Sequence, residues 1–195
     1  MFQLSCKTIA LLSALLIVPS AAGAQPANPT THTSPDANNP PATQPLVASD
    51  QSFLNDAAQA GMAEIEGAML AQKKAATGEV RRFAAQMITE HTKVNDELKA
   101  LAATKNIKLP SEPSLLQKGE LQALSLLDAK FDESYVDRLG VAAHESTIAL
   151  FQEAAVNSQD RDIKAFAERT LPSLQTHLKL AKALNPTVIK AMSKP

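Results

Sequence analysis

Three histidines interrupt stripes that are otherwise apolar. In FAAQMITEHTKVNDEL, Phe83, Met87, His91, Val94 and Leu98 recur three or four residues apart and share one helix face. VAAHESTIALF places His144 in the same way between Val141 and Ile148, and LPSLQTHLKLAKAL places His177 between Leu174 and Ala181. Neutral imidazoles joined by a carboxylate are competent ligands for zinc, iron, copper or manganese, so a divalent transition metal is the cofactor these residue types suggest. A second chemistry fits the same pattern. Inward histidines bonded to carboxylates, amides or water form a polar layer that fixes helix register. Both readings stay open at the level of sequence.

The carboxylate comes from spacing. If Thr77 centres a turn between two helices, Glu64 lies 13 residues before it and His91 14 after, so in an antiparallel hairpin they stand at one height. A second turn centred between Ser158 and Gln159 leaves His144 about 14 residues before it and His177 about 18 after. At ~1.5 Å rise per residue that offset is roughly 6 Å, one turn. Glu64, His91, His144 and His177 therefore supply one candidate metal ligand per helix near a common midplane. Glu66 competes with Glu64 but stands about 200° round the helix at ~100° per residue, so only one of the two points inward. Asn95, one turn beyond His91, is placed to orient its ring from outside. Glu90 and Glu145 each adjoin a histidine and turn away toward a helix interface.

Four long helices must hold these residues. The first runs from about Asp50 to Ala76, capped by Ser49 or Asp50, with Gly61 and several alanines on its inner faces. Gly78 marks a turn, and the second runs from about Glu79 to Thr104, ended by Asn106, Pro110 and Pro113. In a crossover, SLLQKGELQALSLL reads as a short helix with Leu115, Leu116, Leu121, Leu124 and Leu127 to bury. The third runs from about Lys130 to Val156. The fourth, capped by Asp160, ends near Leu184 and contains Pro172, which frees the Glu168 carbonyl and should kink it. The fold expected is all-α: an antiparallel four-helix bundle with an extra helix in its crossover. Strand-like alternation is nearly absent.

The ends read differently. Residues 1–24 have the form of an export signal: Lys7, the apolar run IALLSALLIV, and a small-residue cleavage site at Ala22-Gly23-Ala24. That run is too short to span a bilayer. Cleavage would start the mature chain at Gln25 and remove Cys6, the only cysteine, and with it any thiol chemistry. Residues 25–48 hold six prolines among Asn, Thr and Ala, too little apolar mass for a core, and read as a disordered tether. His32 in that stretch is read as solvated. The bundle is expected over 49–185, with a loose tail at 186–195.

Composition narrows the function classes. The chain has 195 residues, 45% hydrophobic and 4% aromatic, with formal net charge -1. Its Lys and Arg are scattered, with no basic patch interleaved with aromatics, so nucleic acid is not an expected partner. Neither a nucleophile elbow nor a phosphate-binding loop is present.

Taken together, AAQAGMAEIEGAMLAQKKA, FAAQMITEHTKVNDELKALAATKNIKLP, AAHESTIALFQEAA and AFAERTLPSLQTHLKLAKAL resemble the exported bacterial domain of unknown function 4142. The resemblance covers about residues 50–184. It implies a ferritin-like four-helix fold in the periplasm or cell envelope, and no reaction. The dinuclear ferritin pattern needs Glu-x-x-His on two helices. Here Ile88, Val141 and Leu174 stand three positions before the histidines, so carboxylate-bridged ferroxidase chemistry is not expected. The outer-membrane label sometimes given to the family finds no β-barrel alternation and no spanning helix after signal cleavage. Two functions follow as expectations. One is a non-enzymatic envelope or stress module that meets a protein partner. The other is a metal-binding bundle for storage, sensing or redox detoxification.

Overall fold

A computed structural model describes residues 45–184. The expected signal, most of the tether and the tail lie outside the described residues. Helix α1 spans Ala48–Lys74, α2 Gly78–Thr104, α3 Leu115–Ser125, α4 Phe131–Tyr135, α5 His144–Asn157 and α6 Arg161–Leu184. A π-helical segment, Val136–Ala143, joins α4 to α5. Together these three make the long third helix expected from about Lys130 to Val156. No strand occurs among the described residues.

The long helices pair as hairpins, α1 on α2 and α5 on α6, and the hairpins close through α2 with α6 and α1 with α5. This is a four-helix bundle with a crossover helix, as the periodicity predicts. Thr77 caps α2 by accepting from the Val80 N–H. Asn106 ends it at φ 56°, the left-handed conformation of a Schellman motif, with the Ile107 N–H reaching the Ala102 carbonyl at 3.0 Å. Asp160 caps α6 through bonds from the Asp162 and Ile163 N–H groups.

Two local expectations are corrected. Neither Ser49 nor Asp50 caps α1, which starts at Ala48 after Val47 without a side-chain cap. Asp50 is buried instead and accepts from the N–H groups of Gln159 (3.1 Å) and Asp160 (2.9 Å), tying the start of α1 to the α5–α6 turn. In α3, Leu124 is fully buried, but Leu115 and Leu116 are 87% and 84% exposed. A short helix lying on one wall buries a single side, so the N-terminal leucines of α3 face outward.

The core falls into two apolar clusters. One centres on Phe53, Phe151 and Phe166, whose ring centroids lie 5.1–6.5 Å apart, with Leu54, Leu98, Ile148 and Leu174. The other holds Phe83, Met87, Phe131, Tyr135, Val136 and Ala181, with Phe131 stacked on Tyr135. Burying one such side chain contributes ~1.5–3 kcal/mol. Along every long helix the change from one cluster to the other falls at a polar residue: Glu64, His91, His144 and His177.

Candidate metal centre

All four predicted residues converge. Glu64, His91, His144 and His177 are at most 4% exposed. The imidazoles form a triangle with centroid separations of 5.1 Å (His91–His177), 5.4 Å (His91–His144) and 5.5 Å (His144–His177). One nitrogen from each ring lies within 4.8 Å of the others. The one-turn offset between His144 and His177 is bridged by the reach of their side chains. Glu66 is exposed, so Glu64 is the carboxylate that faces inward.

Each ring is held differently. The π-helical segment puts the Leu139 carbonyl five residues before His144, where it accepts a 2.8 Å bond from ring Nδ1. A carbonyl only accepts, so Nδ1 carries the proton and Nε2 keeps its lone pair. His177 Nε2 lies 2.6 Å from Glu90 Oε2 on α2, which leaves Nδ1 free. Glu90 is itself fixed by Gln86 (2.8 Å) and by Ser173 (3.0 Å). His91 Nε2 stands 2.8 Å from Glu64 Oε2 as a buried ion-pair contact. Thr147 donates to the other oxygen, Glu64 Oε1, at 3.3 Å.

Buried polar atoms are almost always bonded. Among the described residues, the buried side-chain polar atoms with no hydrogen-bond partner are Glu64 Oε2, His91 Nε2, His144 Nε2 and His177 Nδ1. That is one atom from each candidate ligand, on four different helices. Around a tetrahedral ion with ~2.0–2.1 Å bonds, donors stand ~3.3 Å apart, so closing the histidine triangle takes shifts on the order of 1 Å. The donor set, three imidazoles and a carboxylate, suits a divalent transition metal. Leu139 and Glu90 occupy the outer positions that fix ligand tautomers in such sites. Asn95 does not take the outer role expected of it. It packs against Gly61, where an added Cβ would lie 2.1 Å from its Oδ1, and makes no hydrogen bond to His91.

The electrostatics are those of a paired acid and base. Burial would push the Glu64 carboxyl up, but the His91 and His144 imidazoles hold it down at about 2. Burial disfavours the His91 cation, but the Glu64 charge outweighs it and raises His91 above its ordinary value. His177 moves the other way, lowered chiefly by burial. Burial and the Glu64 charge also raise Tyr135.

Sequence reasoning missed Glu90, Thr147 and the Leu139 carbonyl. Thr147 follows His144 by three residues on the same face, a readable signal. Glu90 does lie at a helix interface, but its partner depends on how α2 and α6 are rotated. Beside the cluster, a cavity of 620 Å³ opens between α1, α3 and the π-helical segment with α5, and Glu64 and Thr147 form part of its wall.

Residues 35–184 match the family described as a domain of unknown function, DUF4142. The chain belongs to that family. The DUF4142 bundle is similar in fold to a DUF305 fragment from Deinococcus radiodurans, at TM-score 0.63 and 13% identity, over 73% of this chain and 98% of that one. It is also similar to a conserved hypothetical protein from Mycobacterium tuberculosis, at TM-score 0.55 and 16% identity, over 71% and 96%. At these identities the likeness is one of fold. No curated protein matches the sequence. Among the described residues of the DUF4142 domain, no helix is long and apolar enough to cross a membrane.

Proposed function

We propose that this DUF4142 domain binds one divalent transition metal ion in its core through Glu64, His91, His144 and His177. The observation that carries this reading is the buried trio of imidazoles, one nitrogen from each within 4.8 Å of the others, with the Glu64 carboxylate 2.8 Å from His91 Nε2. A purely structural polar layer would pair both nitrogens of each ring, but only His144 Nδ1 and His177 Nε2 are bonded, and His144 Nε2 and His177 Nδ1 have no hydrogen-bond partner. With three nitrogens and one carboxylate the site is suited to holding, sensing or buffering a metal.

The test is elemental analysis of the protein purified without a histidine tag, with thermal melts of wild type and His144→Ala with and without chelator. Near-equimolar metal is expected, lost in the variant, with a melting temperature that chelator lowers in wild type alone. Metal-free protein whose melt ignores both chelator and added metal overturns the reading and leaves the histidines as a register-fixing layer.

A companion proposal concerns address. Residues 1–24 support export to the periplasm or cell envelope, where the bundle would act beside a protein partner. The expected result is a periplasmic form whose mass starts at Gln25. A full-length chain confined to the cytoplasm overturns it.

A further inference from the structure

The cavity beside the cluster has an unequal charge. Asp56, Glu64, Glu120 and Asp137 line it, against one guanidinium, Arg138. Arg138 reaches Glu120 at 3.7 Å from the π-helical segment to α3, with both side chains nearly half exposed. Acidic walls alone mark no site. Here a second observation points inward: Glu64 is 4% exposed, its Oε2 stands 2.8 Å from His91 Nε2, and it is the one residue shared by the cavity wall and the histidine cluster. None of the three histidines lines the cavity.

We infer that this cavity is the loading route for the metal ion, with Glu64 as the group that takes the cation from the acidic wall and passes it to the imidazoles. The inference rests on the metal-binding reading above. A wall of one sign in a low-dielectric cleft concentrates counter-ions and speeds their association. Carboxylate oxygens bind a partly hydrated dication without removing all of its water. The imidazole lone pairs face the bundle interior, so a cation meets oxygen first and nitrogen second. Thr147, bonded to Glu64 Oε1, steadies the carboxylate while Oε2 faces the cluster.

The experiment is stopped-flow loading of the metal-free protein with Zn²⁺, followed by competition with a chromophoric chelator, at low and high salt. Three variants are compared with wild type. Asp56→Asn/Glu120→Gln lowers the wall charge at two exposed positions, and Ala142→Phe obstructs the cavity from another. Asp96→Asn/Glu97→Gln removes the same charge from the outer face of α2. The wall variant is expected to load roughly tenfold more slowly at low salt, with the difference shrinking as salt screens it. Ala142→Phe should slow loading and release alike and leave the dissociation constant unchanged. The α2 variant should load like wild type. Wild-type rates in both cavity variants, with binding intact, overturn the route and spare the metal site. An absence of zinc binding in wild type overturns both.

Discussion

The two hairpins of the bundle make their halves of the centre in different ways. In α1–α2 both helices are regular over 27 residues, and the hairpin contributes an acid and a base in direct contact, Glu64 and His91 at 2.8 Å. The other hairpin is irregular ahead of its first helix. A π-helical segment precedes α5 and Pro172 lies within α6. It contributes two imidazoles with one nitrogen each tied off, by the Leu139 carbonyl and by Glu90. Regular helices suffice to bring charges together. Aiming a lone pair takes an outer partner, and the π-helical segment supplies one by carrying a backbone carbonyl to the ring. Such segments cost backbone regularity and recur at functional sites.

The contact pair should break hardest. Glu64→Gln removes both a ligand charge and the group opposing a buried imidazolium. Metal affinity is expected to fall by at least about 100-fold, since removing even an outer partner costs 10–100-fold. Competition titration measures it. An affinity within threefold of wild type would mean the three imidazoles bind without the carboxylate.

Acid separates the hairpins without mutation. Glu64 is depressed from 4.5 to about 2, so its stabilising contribution is present above 4.5 and is lost as pH falls toward 2. That window is worth on the order of 3 kcal/mol. His91 is raised above 6.5, so its contribution is present below 6.5 and is lost as pH rises through its higher folded value. His177 is lowered, and opposes folding as pH falls below 6.5. Urea melts of the metal-free protein should weaken sharply below pH 4.5 in wild type and much less in Glu64→Gln. The metal-loaded form should gain on the metal-free form as pH rises, because a ligand must shed its proton. Equal acid limbs in the two proteins would remove Glu64 from the account.

How far the sequence reveals this depends on what carries the information. Helices, turns and the four converging residues were legible because a 3.6-residue period and the distances of Glu64 and His91 from Thr77, and of His144 and His177 from the Ser158–Gln159 turn, are properties of the chain itself. The π-helical segment was not. Over the eight residues Val136–Ala143 its side-chain pattern is too short to separate from an α-helix. The partner of Glu90 was hidden in interhelical rotation, and the role of Asp50 in a tertiary contact. Asn95 shows the reverse error. Its one-turn spacing from His91 was real, but Gly61 opens a pocket that takes the side chain elsewhere.

The irregular hairpin can be tested at its outer partners and its packing. Glu90→Gln should lower metal affinity 10–100-fold with little change in folding, since Glu90 fixes the His177 ring from the edge of the bundle. Gly140, within the π-helical segment, is a packing test: an added Cβ would stand 2.9 Å from the Ala181 Cβ. Gly140→Ala should destabilise by ~1–3 kcal/mol as α6 is pushed away. Gly119 in α3 has open space around its Cβ position, and Gly119→Ala should instead stabilise by about 0.5–1 kcal/mol. If the two alanines act alike in chemical denaturation, close approach at Gly140 is not what constrains it.

The smallest effect is the sharpest control. Glu145 adjoins His144 in sequence as Glu90 adjoins His91, and it too spans a helix interface. It reaches Lys182 at 2.7 Å, however, with both side chains about half exposed. Exposed pairs of this kind contribute ~0–1 kcal/mol. Glu145→Gln should therefore change stability by less than about 0.5 kcal/mol and leave metal affinity where it was. If affinity fell as far as in Glu90→Gln, a general negative field around the cluster would account for both variants. The specific bond from His177 to Glu90 would then lose its role. If Glu145→Gln is silent while Glu90→Gln is not, what matters is the ring nitrogen that is held, not the charge nearby.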